Sequence, residues 1–255
     1  MAKDLEAIID RFVEEAEAIA GDALRALVLY GSGAGEEYLL GRSDLNFLLV
    51  AERIDLSLLD GLQKKGGAWE RRRIATPLVV EQTFLASSTD SYPLEILGMM
   101  ASYRVLKGTD PFEGLVLEKE HVRLQVEREA KAKTLLLRSG YMESCGKHQR
   151  LLSCLAGALP ALQAILRGVL YMQDRDWKQC GSHLHKQCAE WIGIDGDVLD
   201  AIHAARQETR RPNRQDTLQL YTKTLGMLRS LSELVDETST GRTPGRSATQ
   251  PRRGI

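Results

Sequence analysis

Apolar residues recur at helical spacing from the start of the chain. Leu5, Ile8, Ile9, Phe12, Val13, Ala16 and Ile19 line one face, and Gly21 stops the helix. A different pattern follows over residues 27–50, LVLYGSGAGEEYLLGRSDLNFLLV. It reads as an apolar strand over 27–30, a Gly-Ser turn at Gly31 and Ser32, a linking segment, and a second strand over 44–50. Residues i and i+2 of a strand project from one face, so Asp44 and Asn46 point together and Leu45 and Phe47 point away. Eleven residues separate Ser32 from Asp44, room for a tight turn and about two helical turns.

The next segments are shorter. Residues 56–62 read as a helix ended by residues 64–67, and Arg71, Arg72 and Arg73 precede an apolar run over 77–80. Glu81 closes that run. Residues 92–97 (YPLEIL) form another apolar segment, which carries Glu95, and YRVLKG follows over 103–108. Thr109-Asp110-Pro111 punctuates the chain. Beyond about residue 115 no strand pattern remains. Helices are predicted over 118–138, 149–172, 177–192, 197–206 and 215–235, a bundle of about five. The second of them is apolar nearly all round and reads as the buried central helix, with Pro160 as the place for a kink.

The Gly-Ser turn and the strand after it make sense together as a site for phosphate and metal. A small-residue turn opening into a helix offers backbone N–H groups and a positive dipole end to a triphosphate. A carboxylate on the adjacent strand suits Mg²⁺, which binds through one or two carboxylates plus phosphates. Two other glycine-loop readings fail. No Lys follows as a Walker loop requires, and Glu36 stands where a dinucleotide fingerprint needs glycine.

The stretch resembles the signature of the DNA polymerase β-like nucleotidyltransferases: apolar strand, Gly-Ser, spacer, then Asp-x-Asp/Glu opening a strand. Gly31, Ser32 and Asp44 match it; Asn46 stands where the family carries a second carboxylate. The resemblance implies an α+β fold, with a mixed sheet flanked by helices over residues 1–112 and a helical bundle over 113–237. It implies a nucleoside triphosphate bound by Gly31, Ser32 and Asn46, with Mg²⁺ or Mn²⁺ held by Asp44, Asn46 and a third acid from a later strand. Glu95 is the better match for that acid, as metal ligand or as the base for an acceptor hydroxyl; Glu81 is the reserve. The implied reaction moves a nucleoside monophosphate to a hydroxyl, with Asp44 and Glu95 as its catalytic residues.

Asn46 offers a carbonyl oxygen without charge, and clustered carboxylates are what let two divalent ions approach each other. Three functions therefore stay open: an active nucleotidyltransferase, a nucleotide-binding protein without transfer, and an antitoxin-like partner protein whose bundle is the working part.

Composition narrows the rest. With 255 residues, 43% hydrophobic and 27% charged, the chain has the make-up of a globular protein with ample core. A net charge of −1 and 5% aromatics argue against nucleic acid as the partner. The N-terminus carries acids where a signal peptide needs an apolar run, and no stretch reaches the roughly 18 residues of a membrane span. Free thiols at Cys145, Cys154, Cys180 and Cys188 fit a reducing cytoplasm. The spacing of Cys180, His183, His185 and Cys188 is wrong for a zinc finger, so these read as ordinary helix residues. Arg123, Arg128, Lys131 and Lys133 alternate with acids and read as a self-paired helix face. A homodimer or protein partner would use the bundle. Residues 238–255 hold four arginines and no acid, and read as a disordered basic tail.

Overall fold

In the computed structural model the described residues are 2–35, 38, 43–207 and 212–239. The basic tail predicted from residue 238 therefore lies outside them from residue 240 onward, as does most of the linking segment between Gly35 and Ser43.

Helix α1 spans Ala2–Ala20, and Gly21 turns the chain with φ +52°. Strand β1 (Leu24–Tyr30) runs antiparallel to β2 (Asn46–Ala51). The antiparallel register sets Tyr30 opposite Asn46 and Leu29 opposite Phe47. Helix α2 (Leu56–Arg71) then returns the chain to β3 (Leu78–Glu81), which lies parallel to β2. After the short α3 (Gln82–Ser87) comes α4 (Pro93–Ala101), and β4 (Tyr103–Gly108) pairs antiparallel with the other edge of β1. The order across this mixed sheet is β3-β2-β1-β4.

Side-chain alternation gives the sheet two buried faces. Leu27, Leu29, Leu45, Phe47 and Leu49 pack under α1 and α2, with Phe12 stacked on Phe47 at 3.8 Å between ring centroids. Ala26, Val28, Leu48 and Val50 face the other way, in one hydrophobic cluster with α4 and the helices that follow. These are α5 (Lys119–Glu143), α6 (His148–Met172), α7 (Gly181–Ile192), α8 (Gly196–Arg206) and α9 (Arg214–Ser239). The α+β class, with mixed sheet first and helical bundle after, is as expected.

Three sequence expectations need correction. Helix α2 does not end in the Lys64–Gly67 stretch; it runs on to Arg71, because Trp69 packs against Phe12 and its indole N–H reaches Glu15. The YPLEIL segment is the start of a helix, with Pro93 in its first turn, where a missing N–H costs nothing. And α7 begins at Gly181, four residues later than predicted; Trp177 stands outside it, edge-on to Tyr171. Helix α6 passes through Pro160 without a break. It is long and apolar enough to cross a membrane, the one such helix among the described residues, and its Leu155, Leu159, Leu162, Leu166 and Leu170 are buried against the rest of the bundle.

Candidate functional site

The Gly-Ser turn is a single 3-10 turn, Gly31–Ala34, directly after β1. Its glycines have local causes. Gly31 sits at φ +74°, and its N–H donates to the Ser102 carbonyl at 2.8 Å, which ties the turn to the end of α4. A Cβ at Gly33 would come within 2.8 Å of Leu45 Cδ2, and one at Gly35 within 2.9 Å of Ser102 Oγ. Small residues here let the turn lie flat on the start of β2. Ser102 thus takes the first N–H of the turn, and the Ser32 carbonyl accepts from Gly35 N–H at 3.2 Å.

Asn46 meets this turn. A Cβ at Gly31 would lie 3.4 Å from Asn46 Nδ2. Asn46 shares the side of β2 that carries Leu48 and Val50, the side facing the bundle, while Leu45 and Phe47 are buried on the other. The half-buried Tyr30 stands across the ladder, and burial raises its phenol above the usual value.

Asp44 lies one residue ahead of the β-bridge between Leu45 and Ile74, and its side chain is 58% exposed. Its Oδ1 is 3.4 Å from Arg73 Nε. Backbone bonds fix that neighbour: Leu45 N–H donates to the Arg73 carbonyl at 2.8 Å, and Ala75 N–H to the Leu45 carbonyl at 3.0 Å. Tyr38 feels both charges, and its phenol is raised by burial and by Asp44, against the opposing pull of Arg73. Beside the pair opens a groove of about 760 Å³ lined by Leu59, Gln63, Glu70, Thr76 and Pro77.

The two acids proposed for the third position lie elsewhere. Glu81 pairs with Ala51 at the far end of the parallel β2–β3 register, about 17 Å from the level of Asn46. Strand β3 begins at Leu78, opposite Leu48, so Asn46 lies ahead of the parallel pairing. Glu95 is exposed, in the first turn of α4, and accepts from Gln125 Nε2 at 2.7 Å; Gln125 Oε1 in turn accepts from Leu94 N–H at 2.8 Å. Seven residues on, at the other end of α4, Ser102 holds the turn. Their Cα atoms are roughly 10 Å apart along the axis. Between them Gly98 faces open space, with nothing within 4 Å of a Cβ there.

The structure thus brings Asn46 to Gly31, pairs Asp44 with Arg73 beside the groove, and keeps Glu95 with Gln125 at the other end of α4. Among the described residues no three His, Cys, Asp or Glu side chains gather as a metal site. One carboxylate and one amide carbonyl suit a single divalent ion completed by phosphate oxygens; they do not suit two. Sequence reasoning missed Arg73 as a neighbour of Asp44 because it took the three arginines as a set. They separate: Arg72 turns inward to Glu15 at 2.5 Å, and Arg73 turns to Asp44.

The second-half groups have structural partners. His185 is fully buried, with Asp200 at 2.7 Å from Nδ1 and Gln163 at 3.1 Å from Nε2. Burial pushes the Cys188 thiol up to about 12. Arg123 pairs with Glu120 and Glu127, Lys131 with Glu127 and Lys133 with Glu129, the self-paired face read from the sequence.

No family model matches the chain, and no curated protein does. Among solved structures it is similar to the spectinomycin adenyltransferase AAD(9) from Enterococcus faecialis, determined with ATP and spectinomycin. The match has a TM-score of 0.55 at 12% identity, over 89% of this chain and 98% of that one. The likeness spans sheet and bundle alike. The chain shares the fold of that adenyltransferase.

Proposed function

We propose that this protein is a nucleotidyltransferase, moving a nucleoside monophosphate from a triphosphate to a hydroxyl acceptor. The observation that carries the proposal is the approach of the Asn46 side-chain amide to Gly31, with Asp44 two residues ahead of it in the chain. The fold it shares with an adenyltransferase supports it. Ser32 would donate to the β- and γ-phosphates, and the Asn46 amide would orient them. Asp44, with the Asn46 carbonyl, would hold one Mg²⁺ or Mn²⁺; such an ion neutralises phosphate charge and aligns the α-phosphorus. An acceptor in the open space over Gly98 would lie between Ser102 and Glu95. Its oxygen bonds to the α-phosphorus, pyrophosphate leaves, and the hydroxyl proton passes to the Glu95 carboxylate. In this assignment residues 1–112 bind the nucleotide and residues 113–237 wall the acceptor, in the cytoplasm where triphosphates are plentiful.

One observation favours a second reading. Asn46 has no charge, and neither neighbouring strand supplies a carboxylate at its level. On that reading the site binds nucleotide without transfer and the bundle engages a partner protein.

The test joins two measurements. Thermal stabilisation by ATP, GTP, CTP and UTP, with and without Mg²⁺ or Mn²⁺, is compared with the Asp44→Ala variant, and α-phosphate label is followed onto acceptors. Metal-dependent stabilisation lost in the variant, with label transferred, supports the enzyme. Stabilisation without transfer selects the second reading. A flat response at millimolar nucleotide removes both.

A further inference from the structure

Helix α2 ends in a Schellman motif built around an unexpected residue. Ile74 N–H donates to the Trp69 carbonyl at 2.9 Å and Arg73 N–H to the Glu70 carbonyl at 2.9 Å, the two bonds that define the motif. The position between them must turn left-handed, and glycine is its usual occupant. Here it is Arg73, at φ +60°. A side chain at that position costs stability, and a strained backbone position is a place to look for function.

The Arg73 guanidinium lies on Asp44, the carboxylate of the proposed nucleotide site, Nε to Oδ1 at 3.4 Å. The backbone holds it there from both sides, through the Arg73 carbonyl to Leu45 N–H and from the Leu45 carbonyl back to Ala75. Both side chains are about half exposed, 47% and 58%. An exposed pair of this kind is worth little to the fold and is readily exchanged. A triphosphate competes well for it, because guanidinium binds phosphate through paired, charge-assisted hydrogen bonds.

We infer that Arg73 is the exchangeable counter-ion of Asp44: it sits on the carboxylate when no nucleotide is bound and passes to the triphosphate when one arrives. Until then Arg73 keeps divalent ions off Asp44, and afterwards it contributes the positive charge that a second metal would have brought. Ion and nucleotide then bind with positive cooperativity, each favouring the other. The inference rests on the proposed nucleotide site, and deepens it by naming the residue that orders binding.

The probes are Mn²⁺ alone, followed by electron paramagnetic resonance, and inorganic tripolyphosphate alone, followed by calorimetry. They are applied to the full chain and to Arg73→Gly, Arg73→Lys and Asp44→Ala. Arg73→Gly relieves the left-handed strain, so its Tm should hold or rise, which separates the ligand effect from folding. Expected for Arg73→Gly are Mn²⁺ affinity up by about threefold or more, as a like charge leaves the carboxylate, and tripolyphosphate affinity down by roughly tenfold. Arg73→Lys should restore both toward the parent, and Asp44→Ala should abolish Mn²⁺ binding. Unchanged affinities in Arg73→Gly, with Mn²⁺ binding still lost in Asp44→Ala, overturn the counter-ion and leave the nucleotide site standing. Failure of the parent chain to bind tripolyphosphate overturns the exchange and the nucleotide site together.

Discussion

Asn46 stands opposite Tyr30 in the β1–β2 ladder, and its side-chain amide reaches the place where a Cβ on Gly31 would sit 3.4 Å away. Residue 46 therefore lies against the first residue of the turn. The charge missing there is not restored from the side. Tyr30 stands opposite Asn46 on β1, and the parallel pairing with β3 begins only at Leu48. Substitution of Asn46 by Asp should then raise metal-dependent nucleotide affinity about tenfold, the worth of one added charge-assisted contact near the surface. Calorimetric titration with ATP at fixed Mg²⁺ checks it; an unchanged affinity would mean that the ion is held without residue 46.

Gly31→Ala tests the turn itself. The φ of +74° and the adjacent amide should cost about 1–2 kcal/mol of stability. Gly33→Ala should cost more, because the Leu45 side chain at 2.8 Å belongs to the packed core under α1. Urea denaturation of both variants gives the order; the reverse order would mean that the core yields more easily than the left-handed turn.

The strands and the bundle were legible because each carries its own period: alternation at residues 44–50, and helical spacing through α1, α5 and α6. What escaped depends on contacts between distant segments. Lys64–Gly67 looks like a helix stop, yet Trp69 finds Phe12 and Glu15 on α1, and that gain carries α2 a turn further. Glu95 looked like a strand residue because a short apolar run does not distinguish strand from helix; Pro93 at its start was the signal for a helix. The split of Arg72 from Arg73 follows from the end of α2, where the left-handed turn at Arg73 sends the two side chains to different partners, Glu15 and Asp44. Gly31, Ser32, Asp44 and Asn46 were proposed from the motif; the contacts of Asp44 with Arg73 and of Gly31 with Ser102 were not, since nothing local encodes them.

The two glutamates separate by place. Glu81, at the far end of β3, should tolerate Gln with no loss of label transfer. Glu95→Gln should leave Tm within a degree or so, being exposed, and lower kcat by about a hundredfold or more if it takes the acceptor proton. Single-turnover rates measure both. Equal rates for the two variants would remove Glu95 from the reaction.

Helix packing gives a contrast between two glycines. A Cβ at Gly168 would lie 2.5 Å from Leu94 Cδ2 and 2.6 Å from Val126 Cγ2, so Gly168→Ala should overpack the α4–α5–α6 contact and cost about 1–3 kcal/mol. Gly98 faces open space within α4, and Gly98→Ala should stabilise by about 0.5–1 kcal/mol through helix propensity. Opposite shifts in Tm are expected; a stabilising Gly168→Ala would mean that α4 and α5 can move apart at no cost.

Glu15 ties α1 to α2 and sets the acid limit of the fold. Burial acts to raise its pKa, but hydrogen bonds from Arg72 at 2.5 Å and Trp69 at 2.8 Å, with the charges of Arg72 and Lys65, bring it down from 4.5 to about 2. A depressed folded-state pKa means that the unfolded chain takes up the proton first. The contribution is therefore whole above about pH 4.5 and is lost as pH falls toward 2. At neutral pH it amounts to about 2–3 kcal/mol. Glu15→Gln should lower stability by about that much at pH 7 and flatten the pH dependence between 4.5 and 2, a window set by this one group's two pKa values. Loss of the carboxylate also leaves the Arg72 guanidinium without its partner in a site where Nη1 already has none among the described residues, so the cost at pH 7 should fall at the upper end of that range. Urea denaturation midpoints of the two proteins at pH 7, 4 and 2.5 measure it. Parallel curves across that window would mean that the acid limit is set by other carboxylates.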